Sequence, residues 1–176
     1  MVLTRHLRIS KPLRLDPDGM SGEYMKIVLL CLLAGLLVAA AVTDIRSRII
    51  SNRLNIAIAC LAPLYWLASG LPAWPDMALQ VALGIGIFGV FAFLFALGMM
   101  GGGDVKLLAA IALWFPWQAL SLLLVIMALL GGIVTLVTVI HHKVNKRVGQ
   151  PEVPYGVAIS LAAIWLVGER IFYQFA

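Results

Sequence analysis

The stretch Met99-Met100-Gly101-Gly102-Gly103-Asp104-Val105-Lys106 sets a carboxylate behind three glycines, between two apolar stretches. A second aspartate, Asp44, closes the first long apolar run. An ionisable side chain left unpaired in hydrocarbon costs at least about 2.5 kcal/mol, so a carboxylate in such a setting marks a functional site by default. Two carboxylates that approach closely cannot both ionise easily and share a proton. The ionised member can then accept a proton from water while the protonated member polarises a carbonyl. That chemistry hydrolyses a peptide bond with no metal, no cofactor and no nucleophilic side chain, and the sequence offers none of these in a convincing arrangement. Glycine reaches backbone conformations closed to other residues and lets a second chain come near. Gly101, Gly102 and Gly103 are therefore expected to form a pliable turn beside which a substrate strand lies against Asp104.

The elements that must position these residues are membrane helices. The 176-residue chain is 62% hydrophobic and only 12% charged, with a mean hydropathy of +1.02, which excludes a soluble globular domain and implies an all-α, polytopic membrane protein. A hydrocarbon core needs roughly 20 apolar residues as helix, fewer where protein shields the segment. Six spans are predicted: Ile27 to Thr43, Leu54 to Leu67, Met77 to Met100, Val105 to Phe115, Leu120 to Ile140, and Val153 to Val167. Gly84, Gly86 and Gly89 in the third offer small faces for close helix packing. Cys31 and Cys60 lie in apolar runs without C-x-x-C spacing, which supports neither zinc nor a disulfide framework and makes them packing residues. Adjacent His141 and His142 point in different directions on a helix and cannot easily share a metal.

The net charge of +5 gathers in short segments beside apolar runs, as topology signals and lipid head-group contacts do, and does not suggest nucleic acid. Arg46, Arg48 and Arg53 flank the first connection, Lys106 the third, and Lys143, Lys146 and Arg147 the fifth. The second and fourth connections carry no Lys or Arg. The odd-numbered connections are thus expected in the cytoplasm. Asp44 follows one crossing and Asp104 three, so parity puts both on one membrane face. Only the basic tail disagrees, with Arg5, Arg8, Lys11, Arg14 and Lys26. Residues 1–24 are therefore set apart as a polar tail, with Met20 and Met25 as alternative starts, and residues 25–176 as the membrane domain.

Simpler roles stand beside the chemical ones. Asp104 is well placed to N-cap the fourth span. Asp44 at a helix C-terminus meets the negative end of the helix dipole and has no such rationale. Lys106 fits a snorkelling lysine at a span boundary. Asn52 fits either a hydrogen bond near the site or a cap on the second span. Trp66, Trp74, Trp114, Trp117 and Trp165 fall near span ends, as interfacial anchors do.

Three segments carry a resemblance to a known family. Gly101-Gly102-Gly103-Asp104 followed by Val105-Lys106, Asp44-Ile45-Arg46-Ser47-Arg48-Ile49-Ile50-Ser51-Asn52, and Val153-Pro154-Tyr155-Gly156-Val157-Ala158-Ile159 resemble, in order, the motifs of the bacterial prepilin peptidases. These belong with the presenilins among the Gly-x-Gly-Asp intramembrane aspartic proteases. Ser51 stands where the family usually has proline. The third segment is similar to that of the short members serving Flp/Tad pilus and secretion systems. The resemblance implies catalysis by Asp44 and Asp104 without a cofactor, and a bacterial inner-membrane location with the site near the cytoplasmic face. It further implies prepilin and pseudopilin substrates, contact with pilus assembly machinery, and a peptidase-only form, because the paired C-x-x-C segment of the N-methylating members is missing. The rival readings are a small proton-coupled transporter, for which no convincing internal repeat is found, and a non-catalytic pilus or secretion assembly subunit.

Overall fold

The computed structural model describes residues 17–144 and 154–175; Lys146 and Arg147 of the predicted fifth connection lie outside the described residues. Among the described residues six α-helices follow one another: α1 (Pro17–Ser47), α2 (Asn52–Ala68), α3 (Ala78–Ala96), α4 (Gly102–Ala112), α5 (Trp117–Val144) and α6 (Tyr155–Phe175), with one wide turn, Ala73–Met77, ahead of α3. No strand occurs among the described residues.

The pattern of burial is that of a protein solvated by lipid. Val81, Ile85, Phe88, Val90 and Phe93 on α3, and Val125, Leu129, Ile133 and Leu136 on α5, are exposed. Contiguous apolar surface on this scale is not left to water. Among the described residues four helical segments are long and apolar enough to cross a membrane: Gly22–Ser47, Ala73–Ala96, Trp117–His141 and Tyr155–Phe172. The all-α, polytopic expectation holds; of the six segments expected to span, those that became α2 and α4 do not meet that length and apolarity. The 17-residue α2 contains Pro63, and α4 has only 11 residues, about 16 Å at 1.5 Å per residue, against a hydrocarbon core of about 30 Å.

Shortness suits α4 because it lies inside the protein, packed on α2, α3 and α6. Asp104, Leu107, Leu108 and Ile111 of α4 are buried, as is Phe115 just beyond it, at the three- and four-residue steps that line one helix face. On α1 the buried residues Leu30, Leu33, Leu37, Ala40 and Asp44 follow the same steps. Each aspartate therefore ends an apolar stripe that turns its helix toward the interior. Around α4, α1 packs on α2 and α6, while α3 and α5 flank the bundle against α4 and α6 respectively.

Two tryptophans expected at the membrane interface are instead core cross-links. Trp66 Nε1 donates to the Leu113 carbonyl at 2.8 Å, and Trp114 Nε1 donates to the Ile58 carbonyl at 3.0 Å. Both rings are buried, and a buried indole N–H needs an acceptor. Bonds of this kind between membrane helices contribute about 0.6 to 2 kcal/mol each. Trp74, Trp117 and Trp165 are exposed. Of the three α3 glycines, Gly84 meets a neighbouring segment: a Cβ there would lie 2.6 Å from Leu113 Cδ2, whereas among the described residues nothing lies within 4 Å of a Cβ built on Gly86 or Gly89. Cys31 and Cys60 are free thiols on exposed surface and do not serve core packing.

Candidate active site

The end of the bundle that carries the C-terminus of α1 and the N-termini of α4 and α6 gathers the chemistry. Asp44 and Asp104 are 5% and 8% exposed. Both line a cavity of about 190 Å³, together with Arg48, Ile49, Ile50, Gly101, Gly102 and Gly103. Both also line a wider adjoining space of about 600 Å³ that includes Ser47, Met99, Met100 and Tyr155. All five residues singled out from the sequence thus meet in one place.

Asp44 is held from the far end of the chain. Its Oδ2 accepts the Val157 backbone N–H at 3.2 Å, and the Gly156 N–H also points at the carboxylate. These N–H groups lie in the first turn of α6, where the helix dipole favours an anion, and the Val157 N–H also reaches the Pro154 carbonyl at 3.3 Å. Asp44 therefore does have a capping role, on α6 rather than on its own helix, and sequence position alone could not reveal it. Helix α1 ends immediately after: the Arg48 N–H donates to the Asp44 carbonyl at 3.0 Å, and Arg48 takes the left-handed conformation at φ 55°. An αL residue commonly closes a helix, usually as glycine. In a bulky side chain it is an outlier of the sort that clusters at functional sites.

Asp104 does not N-cap α4. Gly101 is the N-cap, and Asp104, three residues on, takes a hydrogen bond from the Gly101 backbone N–H, the reach-back half of a capping box. Asp104 precedes the predicted fourth span and lies outside the four membrane-crossing segments. Its pKa is pushed up to about 7, first by burial and then by the like charge of Asp44, against the pull of the Gly101 N–H. A neighbouring carboxylate that raises one member's pKa is the behaviour of a pair that shares a proton.

The three glycines are tightly packed, where a pliable turn was expected. Gly101 has φ −74° and ψ 140°, and Gly102 and Gly103 already form the first turn of α4. A Cβ on Gly101 would lie 2.8 Å from Asp104 Oδ2, and one on Gly103 would lie 3.3 Å from Ile50 Cβ. Closeness, not backbone freedom, excludes side chains there. The same holds at Gly156, where a Cβ would stand 2.6 Å from Ile50 Cδ1 and 2.9 Å from Asp44 Oδ2. Ile50 is thus wedged between α4 and α6 beside the carboxylates. Gly156, Val157 and Ile50 were not among the residues singled out for chemistry, although the segments containing them were noticed.

Ser51, where proline is usual in the resembling family, keeps proline's backbone at φ −66° and ψ 142°. Its side chain adds what proline lacks, accepting the Leu54 N–H at 3.3 Å to cap α2. Asn52 accepts a hydrogen bond from Lys106 Nζ at 2.9 Å, which joins α2 to α4 and leaves the capping to Ser51. Among the described residues no group of three or more His, Cys, Asp or Glu is arranged to hold a metal ion.

Fold and site together define a polytopic α-helical membrane protein that gathers two buried carboxylates at one end of its bundle. The chain belongs to the Type IV leader peptidase family, whose model matches residues 31–136. It is similar to the prepilin leader peptidase/N-methyltransferase of Bacillus subtilis (strain 168), 32% identical over 136 residues that cover 77% of this chain and 54% of the relative. The protein of the same description from Aeromonas hydrophila is 28% identical over 141 residues, covering 76% of this chain and 48% of that one. The chain spans about half the length of the curated relatives it matches. No solved structure was found to match it.

Proposed function

We propose that this protein is an intramembrane aspartic endopeptidase that removes the leader from Flp-type prepilins and pseudopilins. It would act at the cytoplasmic face of a bacterial inner membrane. The observation that carries this reading is the convergence of Asp44 and Asp104 on one cavity walled by Gly101–Gly103, in a chain of the leader peptidase family. The ionised aspartate takes a proton from water as the water oxygen adds to the scissile carbonyl carbon, while the protonated aspartate donates to the carbonyl oxygen. Collapse of the tetrahedral adduct breaks the C–N bond, and the departing amine takes a proton from the pair. Residues 25–176 form the catalytic domain in this reading. The short α2 and α4 complete six passes because their neighbours shield them, and pilus assembly machinery receives the product.

The test is a reconstituted reaction with a prepilin-type substrate in vesicles, read by mass spectrometry. The expected product has lost its leader and, in the peptidase-only form proposed, carries an unmodified amino terminus. An uncut substrate would overturn the proposed activity; an N-methylated product would overturn the peptidase-only form.

The orientation has its own expected result. Ser47 and Ala73 are both exposed, at opposite ends of the bundle. In a background without Cys31 and Cys60, Ala73→Cys should react with a membrane-impermeant thiol reagent on intact cells. Ser47→Cys should react only after the cytoplasmic side is opened. The reverse pattern would turn the carboxylates away from the cytoplasm and rule out leader cleavage there.

A further inference from the structure

Arg170 lies near the end of the membrane-crossing segment of α6, and the proposed hydrolysis gives it no task. An arginine at such a place ordinarily runs its stem along apolar surface and sets its charge in water. This one turns inward. Its Nη1 donates to the Tyr65 hydroxyl and to the Trp114 carbonyl, each at 3.0 Å. Its guanidinium carbon lies 5.5 Å from the centre of the Tyr65 ring and 5.2 Å from that of Phe115, close enough for both rings to attract the cation. The Tyr65 ring packs in turn on that of Trp114, with centroids 5.3 Å apart. Among the described residues Arg170 forms no ion pair. A charge kept inside a membrane segment without a counter-ion marks a function by default.

We infer that Arg170 is a positioning residue for the hydrolysis: it sets the axial register of α6 against α4, and so places the N–H groups that hold Asp44 beside Asp104. This rests on the proposed peptidase activity. Helix α6 is fastened at both ends. At its start the Val157 N–H donates to Asp44. At its far end Arg170 bonds to α2 through Tyr65 and, through Trp114, to the segment directly after α4. Thirteen residues separate Val157 from Arg170, about 20 Å along a helix axis. The buried face between them includes Ala158, Ala162 and Ala163, whose methyl groups offer only shallow ridges against sliding. Helix α4 runs in the same direction, with Asp104 in its first turn and Trp114 just beyond its end. A tie between the far ends of two such helices fixes how far one is displaced along the other, and hence where their starts stand. Arginine suits the task, because its planar, always charged fork can meet acceptors on two elements while its face stacks on rings.

Hydrogen exchange on the full chain in vesicles, read by mass spectrometry, tests the coupling without turnover. Arg170→Gln should raise exchange in the peptide containing Val157 by about tenfold or more, and leave the part of α5 around Thr135 within about twofold. A merely local role would loosen the contacts of Tyr65 and Trp114 and leave the start of α6 protected, and that pattern would overturn the inference. On a prepilin-type substrate the same variant should lower kcat about tenfold or more with KM within about twofold, because reacting groups and not the binding surface are displaced. A double-substitution cycle then traces the route. Val157→Pro removes an N–H that Asp44 accepts, in a first turn where proline is tolerated. In that background Arg170→Gln should cost at most about threefold more, the non-additivity of two residues that act through one contact. Full multiplication of the two losses would also overturn the inference. Tyr65→Phe keeps both rings and removes one acceptor; it should shift exchange and kcat in the same directions, and it carries the test if Arg170→Gln fails to accumulate. Absence of cleavage by the unaltered protein, with exchange at Val157 still answering to Arg170, would count against the proposed activity and not against the coupling.

Discussion

Asp44→Asn and Asp104→Asn are each expected to lower leader cleavage by about 10²–10⁴-fold, the range contributed by a positioned acid or base, while the chain inserts and accumulates normally. The substitution separates chemistry from architecture. An asparagine at position 44 can still accept the Val157 N–H that Asp44 accepts at 3.2 Å, and one at position 104 can still accept from Gly101. If the two carboxylates only tied helix ends together, asparagine would serve nearly as well. Initial rates on a prepilin-type substrate, normalised to protein in the membrane fraction, decide the matter. Either variant retaining more than a tenth of the rate would remove the pair from catalysis.

Gly156→Val should be almost as damaging without touching a carboxylate. Its Cβ would stand 2.6 Å from Ile50 Cδ1 and 2.9 Å from Asp44 Oδ2, so the carboxylate or the start of α6 must move. A displacement of about 1 Å at a reacting group costs on the order of 100-fold in rate, and that is the loss expected. Gly168→Ala, on the same helix, where among the described residues nothing lies within 4 Å of the added Cβ, should leave the rate unchanged. Adding Ile50→Ala to Gly156→Val relieves the clash with Ile50 alone and should not restore activity. Restoration would mean that the crowding acts through Ile50 and not through Asp44.

The helical, membrane-embedded character of the chain was legible because it depends on composition and on apolar stretches, which local sequence carries in full. The meeting of Asp44 with Asp104 was reached through crossing parity, which assumed that α2 and α4 each span the bilayer. Neither meets the length and apolarity required, yet both carboxylates line the same cavities. The stripes Leu30, Leu33, Leu37, Ala40, Asp44 and Asp104, Leu107, Leu108, Ile111 were the better signal, since each places its aspartate on an inward face. The second roles of Trp66, Trp114, Gly156 and Val157 were not legible. Each depends on a partner at least 47 residues away, and local periodicity does not encode which helix comes alongside.

The bond from Val157 to Asp44 joins residues 113 positions apart, which has a consequence for the order in which the protein is made. Synthesis delivers Asp44 early, and Asp104 follows while α6 is still unmade. Until α6 enters the bilayer, the backbone N–H groups that fix the first carboxylate are not in place. A nascent chain therefore carries both acids before it can hold them in register, and the arrival of α6 is the step that fixes the first of them.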